Sequence, residues 1–238
     1  MLKKFLDLGE QPLANSYLKK SQLKKKERKI KLEIVFNDKN YLVSIKKKVS
    51  KFLMFNDDYP YRSSQSSTMI KSFRDISNEI KKKFNPKFII EIGSNDGTFL
   101  KNFKKNKIIG IEPCKNVAKI TKKIGYKTID KYWTIKLAKI LIKEKKADII
   151  YSANTLSHIE NLDETFNAIN IALKHDGVLI LEGPALLPCI KFNIYDQFYC
   201  EHIYVFSTIS LKQILKKYDF EIFDLKNLST HGGSTRYF

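Results

Sequence analysis

Cysteine, glycine, proline and arginine are all scarce in this sequence, and each scarcity excludes something. Three cysteines in 238 residues, Cys114, Cys189 and Cys200, stand far apart with no Cys-x-x-Cys pair, which excludes a disulfide scaffold or zinc ribbon and leaves free thiols. Nine glycines and six prolines exclude collagen-like and low-complexity architectures. No apolar run approaches the roughly 18 residues of a membrane-spanning helix, and residues 1–9 lack the apolar centre and small-residue cleavage site of a secretory leader. The expectation is a cytoplasmic protein with no membrane partner. Arginine occurs only at Arg28, Arg62, Arg74 and Arg236, so the formal charge of +19 is carried by lysines spread along nearly every segment. Base-edge and bidentate phosphate recognition favour arginine, so no nucleic-acid partner is expected; lysine with abundant isoleucine and asparagine also suits an AT-rich coding sequence. The charge still favours anionic substrates.

What is present is enough to fold. Hydrophobic residues make up 43% and aromatics 12%, which suits one globular domain with a small appendage. The appendage comes first: a solvated basic stretch over 19–31, then short strands over 31–36 and 41–45 around the turn-like Asn37-Asp38-Lys39-Asn40. A helix is predicted over 66–84, where Met69, Ile70, Phe73, Ile76 and Ile80 recur at helical spacing before Asn85-Pro86. Apolar strands then alternate with helices: strands over 88–92, 107–111, 126–129, 147–152 and 178–181, helices over 117–124, 134–145 and 162–173. That alternation predicts an α/β fold with a mainly parallel sheet covered on both faces. A loop-rich stretch over 184–206, a helix over 210–217, a strand over 220–225 and a last strand from Ser234 complete the reading.

The segment Glu91-Ile92-Gly93-Ser94-Asn95-Asp96-Gly97 lies where the first strand of this alternation turns toward a helix. Gly93 and Gly97 permit a tight turn and close approach to a ligand, and Asn95 tolerates left-handed backbone. At the end of the next strand stands Glu112, placed for a carboxylate that accepts both hydroxyls of an adenosine ribose. Asn95 interrupts the dinucleotide fingerprint, and Asp96 would repel a pyrophosphate. Glu91 and Asp96 suit instead a cofactor with an amino group and a sulfonium, S-adenosylmethionine (SAM).

Further motifs follow in order: Leu6-Asp7-Leu8-Gly9-Glu10-Gln11-Pro12-Leu13-Ala14-Asn15, Tyr59-Pro60-Tyr61-Arg62-Ser63-Ser64, Gly110-Ile111-Glu112-Pro113, the stretch from Asn154 to Ile159, Tyr199-Cys200-Glu201-His202 and His231-Gly232-Gly233-Ser234. With the glycine loop they resemble the SAM-dependent sugar C-methyltransferases that act on nucleotide-linked keto-deoxysugars. The resemblance implies a class I methyltransferase fold with a seven-stranded sheet over 63–238, preceded by a degenerate, formerly zinc-binding domain over 1–62. The family's zinc ligands are cysteines around the first motif and in the hairpin; this chain has none before Cys114, so neither zinc nor any other metal is expected. The sequence stops at Phe238, inside the expected last strand, so the family's C-terminal domain is expected to be missing by truncation, a split gene or loss, with a separately encoded domain as the implied partner.

The resemblance also assigns roles. Glu91, Gly93, Ser94, Asn95, Asp96, Gly97, Glu112, Pro113 and Asn154 are the expected cofactor-binding residues. Methylating a carbon needs a base to remove the proton beside a ketone and donors to hold the enolate. His202 keeps the family's base position, Glu201 could orient it or charge the site, and His158, after the fourth strand, is the second acid/base group or enolate donor. Tyr199 and either Tyr59 or Tyr61 are the expected phenol donors to the ketone. An imidazole with a pKa near ~6.5 can act as a base at neutral pH without a large shift. His175 reads as the end of a helix, and the Gly232-Gly233 run as either a turn or a phosphate cradle. Two alternatives stay open: methylation of oxygen or nitrogen on another small metabolite, and a catalytically impaired SAM-binding accessory protein.

Overall fold

The computed structural model describes residues 1–238. A helix, α2, at Ser67–Phe84 starts where the Ser66 hydroxyl accepts the Met69 amide, 3.3 Å away, and ends at Asn85 in left-handed geometry. Its buried side, Met69, Phe73, Ile76 and Ile80, packs on Ile89, Ile149 and Tyr151 of the main sheet. That sheet is built from β4 (Ile89–Ile92), β5 (Ile108–Ile111), β6 (Thr128–Ile129), β7 (Ala147–Ala153), β8 (Leu173–Pro184), β10 (Leu225–Leu228) and β11 (Ser234–Tyr237). The order is β10-β11-β8-β7-β4-β5-β6. From β8 to β6 every pair is parallel, while β11 runs antiparallel to both β8 and β10. Helices α3 (Lys115–Lys123), α4 (Ile135–Leu141), α5 (Leu162–Ala172) and α7 (Thr208–Lys216) supply the crossovers and cover. This is the mainly parallel sheet anticipated from the alternation, with the seven strands that the resemblance implied. Because β4 pairs with both β5 and β7, strand order reverses there, and a ligand crevice is expected beyond the carboxyl ends of these strands.

The N-terminal part differs from expectation. Instead of a lone hairpin it forms a four-stranded antiparallel sheet, β1 (Leu2–Pro12), β2 (Lys29–Asn37), β3 (Leu42–Ile45) and β9 (Tyr204–Val205), in the order β1-β2-β3-β9. Val43 pairs with Val205 and Ser44 with Tyr204, so a strand from far along the chain closes this sheet. Leu32, Ile34, Leu42, Val43 and Ile45 are buried in the same core as β4, β5 and β7. The short helix α1 (Lys51–Met54) leads on to α2.

Three smaller expectations are corrected. His175 does not end a helix: Leu173 is already extended at φ −84°, ψ 145°, and His175 is exposed on β8, whose irregular register against β7 absorbs this polar stretch. The expected strand over 220–225 is displaced to β10, because pairing with β11 rather than apolarity selects that edge; Phe220 and Ile222 instead pack on the core. Within the stretch taken as loop lie α6 (Leu186–Lys191) and β9.

Candidate active site

The carboxyl ends of β4, β5 and β7 open into a cavity of about 1230 Å³ lined by Glu91, Gly93, Ser94, Asn95, Glu112 and Pro113, by Tyr59 and Tyr61, whose segment is tied to that loop, and by His158, Tyr199 and His202. Gly93 turns at φ +76°, and a Cβ there would lie 2.1 Å from the Thr155 hydroxyl, so only glycine lets β4 pass beneath the loop after β7. Asn95 is left-handed at φ 46°. Its amide donates to Glu112 Oε2 at 2.9 Å, while Cys114 N donates to Glu112 Oε1 at 2.8 Å. The Asn95 side chain accepts the Ser63 amide at 2.9 Å and donates to the Tyr61 carbonyl at 3.3 Å, which ties the Tyr59 to Ser64 motif onto the glycine loop.

Two expected cofactor residues face elsewhere. Asp96 accepts from Thr98 Oγ1 at 2.8 Å and from Ser64 N at 3.2 Å, so it stitches the loop together away from the cavity wall. A Cβ on Gly97 would lie 2.5 Å from Thr121 Cγ2; this glycine serves the packing of α3. Asn154, left-handed at φ 52°, hangs from β8 through its amide on Glu182 O, 2.7 Å away, and does line the cavity. Burial, helped by Glu112 and Asp96, pushes the Glu91 carboxyl well above the usual carboxylate range, and burial raises Glu112 as well.

On the imidazoles burial acts the opposite way. His202 Nδ1 lies 2.8 Å from the Gln197 carbonyl; a carbonyl only accepts, so Nδ1 carries the hydrogen and Nε2 the lone pair. Tyr199 donates its phenolic hydrogen to that Nε2 across 3.1 Å. Desolvation lowers His202 to about 4 and, aided by the neighbouring His202, lowers His158 to about 3, which corrects the expectation of an imidazole near its ordinary value and makes both weaker bases. The two rings meet edge-on with centroids 5.0 Å apart, and Phe55 covers His158 at 5.4 Å. Tyr59 and Tyr61 both line the cavity, Tyr61 with 39% of its surface exposed. Glu201 is fully buried behind this wall, against Asn15 and Tyr59, and does not touch His202. The Gly232-Gly233 run is a turn: Gly233 N donates to Thr230 O at 3.0 Å, and a Gly233 Cβ would lie 2.7 Å from Pro188.

Reading the sequence for site residues missed Ser63, Thr155 and Asn15. All three stand within the motifs named above, but only their contacts give them a place in the site. Tyr132 and Trp133 also line the cavity, and nothing in their spacing marks them.

A family model described as a methyltransferase domain matches residues 62–225. The chain belongs to that family. It carries a SAM-dependent methyltransferase domain, and its cofactor is SAM. Over 235 residues the chain is 24% identical to the C-methyltransferase NovU of Streptomyces niveus, covering 96% of this chain and 56% of that relative; it spans little more than half the relative's length. Among solved structures, a SAM-dependent methyltransferase of Thermotoga maritima aligns with TM-score 0.52 at 19% identity, over 70% of this chain and 88% of its own. Magnesium protoporphyrin IX methyltransferase of Synechocystis, solved with bound S-adenosylhomocysteine, aligns with TM-score 0.53 at 14% identity, over 75% of this chain and 86% of its own. At such identities these two establish the fold.

The methyltransferase cavity fits its cofactor on chemical grounds. Glu91 Oε2, Ser94 Oγ and Asn154 Oδ1 are buried polar atoms on the cavity wall without a hydrogen-bond partner, the condition that a bound polar ligand relieves. A second family model, of a zinc binding domain, matches residues 1–55, and here the residues do not fit the metal. Those positions hold no cysteine and no histidine. Of their carboxylates, Asp7, Glu33 and Asp38 are paired on the surface with Lys4, Lys31, Lys46, Lys3 and the N-terminus, and no group of three or more ligating side chains gathers.

Proposed function

We propose that this chain is a SAM-dependent C-methyltransferase acting on a nucleotide-activated keto-deoxysugar through an enolate. The observation that carries the reading is His202: a buried, neutral imidazole, its tautomer held by Gln197 and its Nε2 turned to a phenol at the cavity wall. Methylation of an oxygen or nitrogen that already bears a lone pair needs no carbon proton removed; methylation beside a ketone does. The 24% identity to a C-methyltransferase supports the same reading.

The residues that would hold the cofactor are Glu91, Gly93, Ser94, Asn95, Glu112 and Asn154. Bound there, SAM supplies an electrophilic methyl group on a sulfonium. In the free protein His202 Nε2 is engaged by the Tyr199 hydroxyl. A ketone oxygen entering the cavity takes over that O–H, which polarises the carbonyl and frees Nε2 to receive the proton from the adjacent carbon. The same hydrogen then stabilises the enolate oxygen, and Tyr59 and Tyr61 complete the polar wall. Acting in the cytoplasm suits the three unpaired, buried thiols.

The test is product analysis. The protein is incubated with methyl-labelled SAM and a panel of nucleotide-linked deoxysugars with and without a ketone. A new carbon-bound methyl on a keto sugar, absent with His202→Asn, is expected; a label found on oxygen or nitrogen, or equal turnover by the variant, overturns the proposal.

A further inference from the structure

The turn after β1 enters the site from a region that its zinc-domain match would make a bystander. Asn15 adopts left-handed backbone at φ 57°. Its side-chain amide lies 3.0 Å from Glu201 Oε1 and 3.1 Å from Glu201 Oε2, so one Nδ2 donates to both carboxyl oxygens. The preceding residue is clasped too: Ala14 N donates to Cys200 Sγ across 3.2 Å, and Cys200 packs with Val49, Met54, Leu13, Ile30 and Phe55. Glu201 has no exposed surface, and its other partner is the Tyr59 hydroxyl, at 3.5 Å. Tyr59 is on the cavity wall; Glu201 is behind it.

We infer that Asn15 is a positioning residue for the reaction: by gripping both oxygens of Glu201 it holds that carboxylate as the acceptor for Tyr59 and so sets which way the phenol faces at the cavity wall. A phenol whose hydrogen points back to a carboxylate presents oxygen lone pairs to the cavity; one facing a protonated carboxyl is free to donate forward. Asn15 donates to the ionised form and favours it. Tyr59, Tyr199, Cys114 and Cys200 all sense the Glu201 charge, and burial raises all four above their ordinary values. Around neutrality they are therefore uncharged, and with no cation offsetting Glu201 its charge is met by the hydrogen bonds of Asn15 and, at longer range, Tyr59. Burial lifts Glu201 to about 7, against the pull of Asn15 and Tyr59. The inference rests on the proposed reaction for its consequence in catalysis, but not for the contact itself.

The experiment reads both. The Glu201 carboxyl band, identified by its loss in Glu201→Gln, is titrated by infrared difference spectroscopy in the full chain, alongside kcat, KM and melting temperature. Asn15→Gly keeps the left-handed turn and deletes the amide; Asn15→Asp keeps the turn and puts an oxygen where the donor stood. The expected result is a Glu201 midpoint raised by about one pH unit in Asn15→Gly and further in Asn15→Asp. With it come wild-type SAM binding and kcat lowered about tenfold at unchanged KM. An unmoved midpoint in the folded variants, or an unchanged kcat where the wild type is active, overturns the inference; so does unfolding of both variants, which would leave Asn15 only the turn to hold. A wild type that methylates no keto sugar while the midpoint still moves refutes the proposed function and not the Asn15 contact.

Discussion

The two ends of the cavity answer the same burial in opposite ways. Around Glu91 and Glu112, proposed to hold SAM, desolvation raises the carboxyls toward the protonated, neutral acid; around His202 and His158, proposed to face the acceptor, it lowers the imidazoles toward the deprotonated, neutral base. A cofactor carrying positive charge pulls the carboxylates back to their ionised form, so the first end couples charge to binding. At the second end the pull of Asp196 on His202 is outweighed by desolvation, and the lone pair stays available throughout the neutral range. On the proposed reading one end recognises a cation and the other takes a proton, with an imidazole that burial keeps neutral but makes a weaker base than a free one.

The sharpest way to break this contrast is His202→Asn. Losing a general base costs about 10²- to 10⁴-fold in kcat, and SAM affinity, set at the other end, stays as in the wild type by calorimetry. Next in size is acid sensitivity. The His202 pKa falls from its ordinary 6.5 to about 4 on folding, so its share of stability is complete above 6.5 and is lost as pH falls toward 4. That loss amounts to about 3 kcal/mol, visible as part of a drop in melting temperature over that window; His202→Asn makes the drop smaller and leaves the share of His158. Glu91 has the opposite sign: with a raised folded pKa, stability is complete below the ordinary carboxylate range and declines as pH rises through the folded value. Gly93→Ala follows, with a side chain forced both into left-handed backbone and onto Thr155; a loss of about 2 kcal/mol in denaturant melts is expected. The smallest effect is Glu112→Gln, which replaces one acceptor facing Asn95 N or Cys114 N by an amide hydrogen donor. SAM binding should weaken about 10-fold, with the kcat at saturating SAM little changed.

What could be read beforehand divides along the same physical line. The glycine loop, Glu112 and the parallel sheet leave dense local marks: isoleucine-rich strands, a turn only Gly93 permits, and a carboxylate at a fixed place past β5. The parallel part of the sheet was legible for that reason. Features set by long-range pairing were not. Two residues, Tyr204 and Val205, close the N-terminal sheet without any run of their own, and β10 is exposed along most of its length, selected by its partner β11. Asp96 reads as a ligand because its carboxylate suits a cationic cofactor, yet Thr98 and Ser64 engage it away from the cavity wall. Asn15 looked like part of a motif, and only the contact with Glu201, 186 positions away, gives it a place in the site.

The central claim, a neutral His202 that takes a carbon-bound proton, is tested most directly by solvent exchange. A nucleotide-linked keto-deoxysugar is incubated in deuterated buffer with the protein and S-adenosylhomocysteine, so that no methyl can move. Deuterium should enter at the carbon beside the ketone with the wild type and not with His202→Asn. Equal incorporation by both proteins, with the variant still folded and binding the cofactor product, would contradict the account.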